Sequence, residues 1–303
     1  MAGRLRLAMT GLQLIINGDD YGRAIDINEA ILRAHEQGVL TSASLMVAGR
    51  AAPDAIERAR DHPALAVGLH LALTGSPGAL PAHQAPHLLS GHGWLPHSPL
   101  QAGVLCFFSP AVRRELRREI AAQFERFQET GLALSHIDSH HLMHLHPTVF
   151  AVVLPLAEKY GARGLRLPRD DLRHTLELDR SNLAGKVTWA SIFALLCRLA
   201  ERRLRESAIA YTDRVYGLLQ SGRMHEAFVT GLLARIPASA RSAELYLHPS
   251  TQTSEGPYGP NPGDLAALLS PRVRQAIEER GARLTTYPAL RGSSQRRMAC
   301  PGH

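Results

Sequence analysis

The residues best suited to chemistry lie in a short histidine-rich run at positions 136–146. It holds five of the chain's sixteen histidines, namely His136, His140, His141, His144 and His146. Neutral imidazole is the commonest nitrogen ligand of catalytic divalent metals. The run also follows a strand-like segment instead of lying in a polar tail. Because one metal ion cannot use five histidines, we expect a metal site to which only part of the run contributes.

Short β-rich segments alternate with helical patterns along most of the chain. Strands are predicted at residues 12–17, 42–48, 64–71, 134–139, 164–167, 208–212, 243–247 and 283–287. Helices, each followed by glycine, are predicted at residues 25–37, 112–130, 147–160 and 262–280. This alternation is typical of an α/β fold with parallel strands, and eight strands predict a distorted, TIM-barrel-like β/α barrel. We expect one domain over residues 1–290 and a flexible C-terminal tail at 291–303.

Several predicted strands carry ionisable residues at or near their carboxyl ends. These residues are Asp19, Asp20, His70, His140, Arg166 and His248. The carboxyl edge of a β/α barrel forms its active-site face, so we expect these side chains to meet there. Asp20, His70 and His140 could bind one divalent metal and leave coordination positions open for water and substrate. Zinc or magnesium fits best, although cobalt, nickel and manganese accept similar ligands.

The remaining ionisable residues fit acid–base chemistry beside such a metal. Asp19 could take a proton from a metal-activated water, and His248 could protonate the leaving group. Arg166 could orient Asp19 through a charge-assisted hydrogen bond. Each residue also has a simpler interpretation: the Asp pair as a turn or helix cap, His70 as a core histidine, and Arg166 as a structural ion pair. Their joint position at strand ends favours the catalytic interpretation.

Composition excludes several other classes of protein. The chain has 303 residues, 45% of them hydrophobic, and a net charge of +7. Its arginines are scattered and form no basic stripe with interleaved aromatic residues, so nucleic acid is not an expected partner. Cys106, Cys197 and Cys300 show neither paired nor metal-binding spacing. With no signal-peptide pattern and no long apolar run, the sequence predicts a cytoplasmic protein.

Three segments resemble the signature segments of the YdjC-like carbohydrate deacetylases. They are Ile-Asn-Gly-Asp-Asp-Tyr-Gly at 16–22, Val-Gly-Leu-His-Leu at 67–71 and His-Ile-Asp-Ser-His-His at 136–141. Residues 107–120 and 145–149 are similar to the hopanoid-biosynthesis (HpnK) branch of that family. The resemblance implies a metal-dependent enzyme that removes acetyl from an N-acetylglucosaminyl group on a hopanoid lipid. It implies Asp20, His70 and His140 as metal ligands and Asp19 as catalytic base, with Arg166 and His248 in later motifs.

Two apolar segments are consistent with a lipid substrate. A long loop is predicted at residues 74–110, and its apolar part, 102–108, includes Phe107 and Phe108. The helical segment 182–205 includes Trp189 and has an arginine-rich end. A basic amphipathic helix can bind the inner face of the cytoplasmic membrane peripherally, but packing against the barrel explains both segments equally well. We predict that Phe107, Phe108 and Trp189 contact the substrate. Tyr21, His141 and Asp213 complete the predicted substrate-binding set.

Three alternative functions remain open from the sequence alone. The first is a deacetylase of soluble, chitooligosaccharide-type sugars. The second is a phosphoesterase, which more often uses two metals with bridging carboxylates. The third is a non-catalytic barrel that binds a lipid or sugar. The sequence also leaves the oligomeric state open, with a homodimer among the options.

Overall fold

Eight parallel strands form one curled sheet in the computed structural model, which describes residues 11–253 and 259–290. The strands are β1 (Gln13–Tyr21), β2 (Ser42–Leu45), β3 (Ala66–Leu71), β4 (His136–Ser139), β5 (Gly164–Leu165), β6 (Arg214–Tyr216), β7 (Ser242–Leu247) and β8 (Arg283–Leu284). Their order is β5-β4-β3-β2-β1-β7-β6, and β8 pairs with β1. The predicted α/β fold with a parallel, barrel-like sheet is confirmed.

Helices connect the strands and cover the outside of the sheet. They are α1 (Ile25–Gln37), α2 (Ala52–Asp61), α3 (Pro99–Phe108), α4 (Pro110–Glu129), α5 (Pro147–Lys159), α6 (Leu172–Leu178), α7 (Leu183–Leu204), α8 (Glu226–Leu233), α9 (Pro262–Leu269) and α10 (Pro271–Glu279). A 3₁₀ turn, His140–Leu145, follows β4 directly. By length and composition, α7 is the one helix within the described ranges that could cross a bilayer.

The sheet departs from a regular barrel at two places. Strand β7 pairs directly with β1, whereas β8 pairs only with the first two residues of β1. On the opposite side, β5 and the chain leading to β6 meet through a single bridge between Gly164 and Ala210. The sheet is therefore a curled half-barrel, not a ring of eight consecutive neighbours.

Three sequence predictions need correction. The strand predicted at 208–212 is wrong, because the sixth strand is β6 and residues 208–212 contribute only the Ala210 bridge. The helix predicted at 262–280 is two helices, since Pro271 begins α10 and the Ser270 side chain caps it. The apolar segment 102–108 is part of helix α3 and not an open loop. The tail predicted at 291–303 lies outside the described residues, and the single-domain assignment stays a prediction.

Four of the strands carry buried polar residues on the inner face of the sheet. Alternate buried positions carry Asn17 and Asp19 in β1, Ser42 and Ser44 in β2, His136 and Asp138 in β4, and Glu244 in β7. Two glycines make room for rings inside the sheet. A Cβ at Gly68 would lie 2.5 Å from the His136 ring, and one at Gly164 would lie 2.0 Å from the Tyr287 ring. These two rings stack with centroids 5.0 Å apart.

Candidate active site

The three predicted metal ligands meet at the carboxyl edge of the sheet. Asp20 lies near the end of β1, His70 near the end of β3, and His140 directly after β4. The Asp20 Oδ1 atom lies 3.0 Å from His140 Nδ1 and 3.4 Å from His70 Nε2. Both Asp20 Oδ1 and His70 Nε2 are buried without a hydrogen-bond partner in the described part of the chain. Buried polar atoms are normally satisfied, so one oxygen and two imidazole nitrogens facing each other fit a bound divalent cation.

An irregularity in β1 explains how adjacent aspartates face one cavity. Consecutive residues of a regular strand point to opposite faces of the sheet. The pairing of β1 with β2 shifts register between Gly18 and Tyr21, and Asp20 has a left-handed backbone with φ 65°. Such irregularities redirect side chains at functional sites. Asp19 and Asp20 both line the same cavity as a result.

The charge balance of the site also favours a cation. Three buried carboxylates, those of Asp19, Asp138 and Glu244, contact the single fully buried Arg166 guanidinium, while Asp20 Oδ2 pairs with the half-exposed Arg23 at 2.8 Å. Burial alone would raise the pKa of Asp20, but His140 and His70 hold it well below its usual value. Burial would lower the pKa of His70, yet the nearby carboxylates, Asp138 foremost, raise it to about 10. The site therefore favours positive charge beside His70, which a divalent metal would supply.

Asp138 orients His70, a role that the sequence did not reveal. Its Oδ1 atom lies 2.8 Å from His70 Nδ1, and its Oδ2 atom accepts a hydrogen bond from Ser44 Oγ at 2.7 Å. A carboxylate on Nδ1 favours a ring proton there, which leaves Nε2 as the nitrogen that can offer a lone pair to a cation beside Asp20. This carboxylate–histidine arrangement is typical of metal-binding histidines.

We expect the Asp138→Asn variant to bind Zn²⁺ about 10–100-fold more weakly than the unaltered chain. Asp138 Oδ2 also forms an ion pair with Arg166 Nη2 at 2.8 Å, so both carboxylate oxygens face positively charged or donor groups. The side-chain amide of the Asp138→Asn variant must therefore turn its NH₂ group in one of two directions. It faces either His70 Nδ1, or the donor groups of Arg166 and Ser44. Titration against a chromophoric chelator measures the affinity.

Asp170→Asn is the matched control for this variant. Asp170 is another buried aspartate, and it accepts backbone N–H groups of Gly217 and Leu219 away from the metal ligands. Asp170 contacts none of Asp20, His70 and His140, so loss of its charge should leave metal affinity unchanged. Equal affinities for Asp138→Asn and the unaltered chain would contradict the role of Asp138.

Arg166 holds Asp19 through two hydrogen bonds. The Nη1 atom of Arg166 lies 2.7 Å from Asp19 Oδ2, and its Nη2 atom lies 2.8 Å from Asp19 Oδ1. Asn17 Nδ2 also donates to Asp19 Oδ1 at 2.8 Å. The guanidinium reaches Glu244 Oε1 at 2.8 Å and lies over the Tyr246 ring, 4.2 Å from its centroid. This bidentate contact fixes the orientation of the Asp19 carboxylate.

Arg166 occupies a second group of residues whose spacing could hold a metal ion. Asp19, His70 and Asp138 form a second group with metal-like spacing. The Arg166 guanidinium already binds carboxylate oxygens of both Asp19 and Asp138. The positive charge that a second metal would supply is therefore already present.

His248 reaches the site from β7, on the side of Asp19 away from His140. Its Nε2 atom lies 3.9 Å from Asp19 Oδ2, which is too long for a hydrogen bond. Its backbone N–H donates to Asp264 Oδ2 at 2.9 Å, which anchors this end of β7. His248 thus faces the cavity beside Asp19 and is free to contact a substrate group.

These residues form the polar part of a cavity of about 570 Å³. The wall of the cavity includes apolar side chains of Leu142, Trp189, Phe193, Leu218 and Leu219. Polar groups concentrated among apolar walls are characteristic of small-molecule sites. The cavity can therefore bind a ligand with both a polar reacting group and an apolar portion.

The other predicted substrate-binding residues divide into two groups. His141 and Trp189 line the cavity, and Thr74 Oγ1 contacts His141 Nδ1 at 2.8 Å. Tyr21 is fully buried and is not part of the cavity wall, while Phe107 and Phe108 lie exposed on α3 and do not line it either.

Asp213 is not brought to the site. It precedes β6, at the opposite, amino edge of the sheet. Its carboxylate accepts the backbone N–H groups of Arg241 and Ser242, at the start of β7. Asp213 therefore links the starts of β6 and β7, and the structure does not bring it to the cavity.

The other histidines of the 136–146 run have structural surroundings. Burial lowers the pKa values of His136 and His144 to about 4, so both are neutral. His144 bridges Ser139 Oγ at 2.7 Å and the backbone oxygen of Arg166 at 2.9 Å. His146 lies beside Phe107, with ring centroids 6.3 Å apart. Only His140 of this run reaches the metal-ligand group, with His141 in the cavity wall.

A sequence profile for the family described as YdjC-like protein matches residues 13–279. The chain belongs to the YdjC-like family. This YdjC-like chain is 37% identical over 282 residues to a carbohydrate deacetylase of Vibrio campbellii, covering 92% of this chain and 96% of that protein.

Two further similarities differ in extent. A carbohydrate deacetylase of Brevibacillus brevis is 43% identical over 150 residues, which is 49% of this chain and 57% of that protein. The YdjC-like chain thus spans little more than half the length of this relative. A crystal structure from Enterococcus faecalis, described as a cellobiose-phosphate cleavage protein, has a TM-score of 0.72 at 27% identity and covers 92% of this chain and 99% of that one.

Proposed function

We propose that this YdjC-like protein is a metal-dependent N-deacetylase, an amide hydrolase that removes acetyl from an N-acetylglucosaminyl group. One observation carries this proposal. The Asp19 carboxylate, which Arg166 holds in place, lines the same cavity as the group formed by Asp20, His70 and His140. A divalent metal bound to that group would polarise the acetyl carbonyl and lower the pKa of a bound water to about 7. The carbohydrate deacetylase description of its relatives is consistent with this reaction.

The protein's own residues carry the proton transfers. Asp19 is held by Arg166 and Asn17. It accepts a proton from the attacking water while the water oxygen bonds to the acetyl carbon. His248, protonated at Nε2, donates a proton to the sugar nitrogen as the C–N bond breaks. The products are acetate and a free amine. The 3.9 Å separation between His248 Nε2 and Asp19 Oδ2 lets the base and the acid act on one substrate group.

Two alternative functions fit the site less well. A two-metal phosphoesterase needs a second cation, and Arg166 already binds the carboxylates that would hold it. A non-catalytic binding protein would need neither Asp19 held by Arg166 nor His248 beside it. A deacetylase of soluble, chitooligosaccharide-type sugars uses the same catalytic residues and differs only in the rest of the substrate.

We further propose that the substrate is lipid-linked, as in an N-acetylglucosaminyl hopanoid, and that the protein meets it at the inner face of the cytoplasmic membrane. The similarity of residues 107–120 and 145–149 to the hopanoid branch supports this choice. The apolar wall formed by Leu142, Trp189 and Phe193 supports it independently, because a soluble oligosaccharide offers little apolar surface to bury there.

The test compares acetate release from an N-acetylglucosaminyl hopanoid and from N,N′-diacetylchitobiose, each with and without chelator. We expect chelator to stop release from both, and Trp189→Gln to lower kcat/KM for the lipid-linked substrate about tenfold or more, since an apolar aromatic contact is lost. The soluble sugar is the matched control and should change little. Equal losses on both would contradict the lipid-linked substrate, and no release from either would contradict the deacetylase.

A further inference from the structure

We propose that helices α3 and α7 form a docking surface for an anionic lipid bilayer. The described residues include eleven large hydrophobic side chains that are exposed to solvent. Ten of them lie on these two helices: Leu100, Val104, Phe107, Phe108, Leu183, Val187, Trp189, Ile192, Leu195 and Leu199. Single exposed apolar residues are normal on a protein surface, but a concentration of this size marks an interaction site. The eleventh, Ile25, begins α1.

The two helices lie on the flank of the molecule that carries the candidate active site. Both pack against α5 and against the 3₁₀ turn that begins with His140. Both also contribute to the cavity wall, Pro99 from α3 and Trp189 and Phe193 from α7. The exposed apolar surface is therefore next to the cavity, and a bilayer beneath it would place lipid at the cavity mouth.

Helix α7 is arranged to lie along a membrane surface and not across it. Its buried side chains, including Phe193, Cys197 and Leu204, form a stripe that packs on the domain. Only 22% of the most apolar 18-residue stretch of α7 is buried, so most of that stretch faces outward. Lys186, near its start, is buried and ion-paired with Asp179 Oδ2 at 2.9 Å. A helix held lengthwise in this way can insert its outer face into the interfacial region.

The distribution of charge favours an anionic bilayer as the partner. No charged residue occurs in α3, and none occurs in α7 between Val187 and Cys197. The next turns of α7 expose Arg198, Arg202 and Arg203, and no acidic side chain within the described ranges pairs with them. The apolar face suits the lipid tails of a membrane, and the unpaired arginines at its end suit anionic headgroups. The net charge of +7 adds to this attraction.

This inference is independent of the proposed activity, because binding to vesicles needs neither metal nor substrate. The full chain is sedimented with vesicles of phosphatidylcholine alone and of phosphatidylcholine mixed with phosphatidylglycerol. We expect binding to the mixed vesicles that weakens with salt. Arg202→Gln with Arg203→Gln should lower this binding about fivefold or more, since each arginine near an anionic surface contributes to attraction.

The apolar part of the surface is tested with Phe108→Gln combined with Leu195→Gln. These side chains are 73% and 58% exposed and do not line the cavity. We expect at least about a tenfold loss of vesicle binding, because two apolar side chains no longer enter the bilayer. Ile25→Gln is the matched control, since Ile25 is 47% exposed but lies on neither helix, and it should bind like the unaltered chain.

Either of two outcomes would overturn the proposal: absence of binding to the mixed vesicles, or an equal loss of binding in Ile25→Gln. If binding is absent and light scattering shows a dimer that Phe108→Gln with Leu195→Gln dissociates, the surface covers a second copy of the chain instead. Thermal unfolding of each variant shows whether it is folded. A protein that binds vesicles but releases no acetate would contradict the proposed function and leave this inference standing.

Discussion

We expect the Asp19→Asn variant to release acetate about 10²–10⁴-fold more slowly than the unaltered chain while still binding one equivalent of metal. An amide at this position cannot accept the proton of the attacking water. The metal-ligand group itself uses Asp20, His70 and His140, so metal binding should persist. The kcat for acetate release and the metal content per polypeptide, measured on the same preparation, test both parts.

Asn at position 19 also removes a charge from around Arg166, so a matched control is needed. Glu244→Gln provides it, because Glu244 Oε1 also binds the buried guanidinium and does not line the cavity. If the loss came only from an unbalanced Arg166 charge, both variants would lose activity alike. We expect Glu244→Gln to retain most of its turnover. Near-normal turnover in Asp19→Asn would show that another group is the base.

The meeting of the three proposed metal ligands could be predicted from the sequence. Asp20, His70 and His140 are far apart along the chain, but each follows or ends a short apolar segment typical of a parallel strand. Carboxyl ends of parallel strands share one edge, so the topology alone predicts that they meet.

The residues that orient this group could not be found in the same way. Asp138 and Glu244 lie within their strands, on the inner face of the sheet, and not at the strand ends. Polar residues alternating through otherwise buried strands were the available signal, as in His136 and Asp138. Which of them would contact His70 or Arg166 depends on sheet curvature and register, which single-sequence patterns do not specify. Asp213 shows the converse error, since it lies at the other edge.

Local irregularities explain the remaining differences. The register shift in β1 and the left-handed backbone of Asp20 turn two adjacent aspartates toward one cavity, although a regular strand would separate them. The break between α9 and α10 was visible as Ser270 followed by Pro271, but the apolar periodicity continues across it. Strand β6 is only three residues long, which is too short to give a distinct alternation pattern.

The second large effect concerns the metal ligands. We expect His140→Gln and Asp20→Asn each to lose most of the bound metal, and with it nearly all acetate release. Among residues 11–253 and 259–290, Asp20 Oδ1 is the one carboxylate oxygen that lies within 3.4 Å of both His140 Nδ1 and His70 Nε2. Removing either partner leaves too few ligands for a catalytic three-ligand site. Metal content after dialysis, and thermal unfolding with and without added Zn²⁺, are the measurements.

His146→Gln is the matched control for His140→Gln. Both histidines belong to the same 136–146 run, but His146 lies beside Phe107 and does not line the cavity. Added Zn²⁺ should raise the unfolding temperature of the unaltered chain and of His146→Gln, because a ligand that binds only the folded state stabilises it. His140→Gln should show little such shift. Equal shifts in the two variants would mean that the histidine run binds metal as a cluster, and the assignment of a single ligand to it would be wrong.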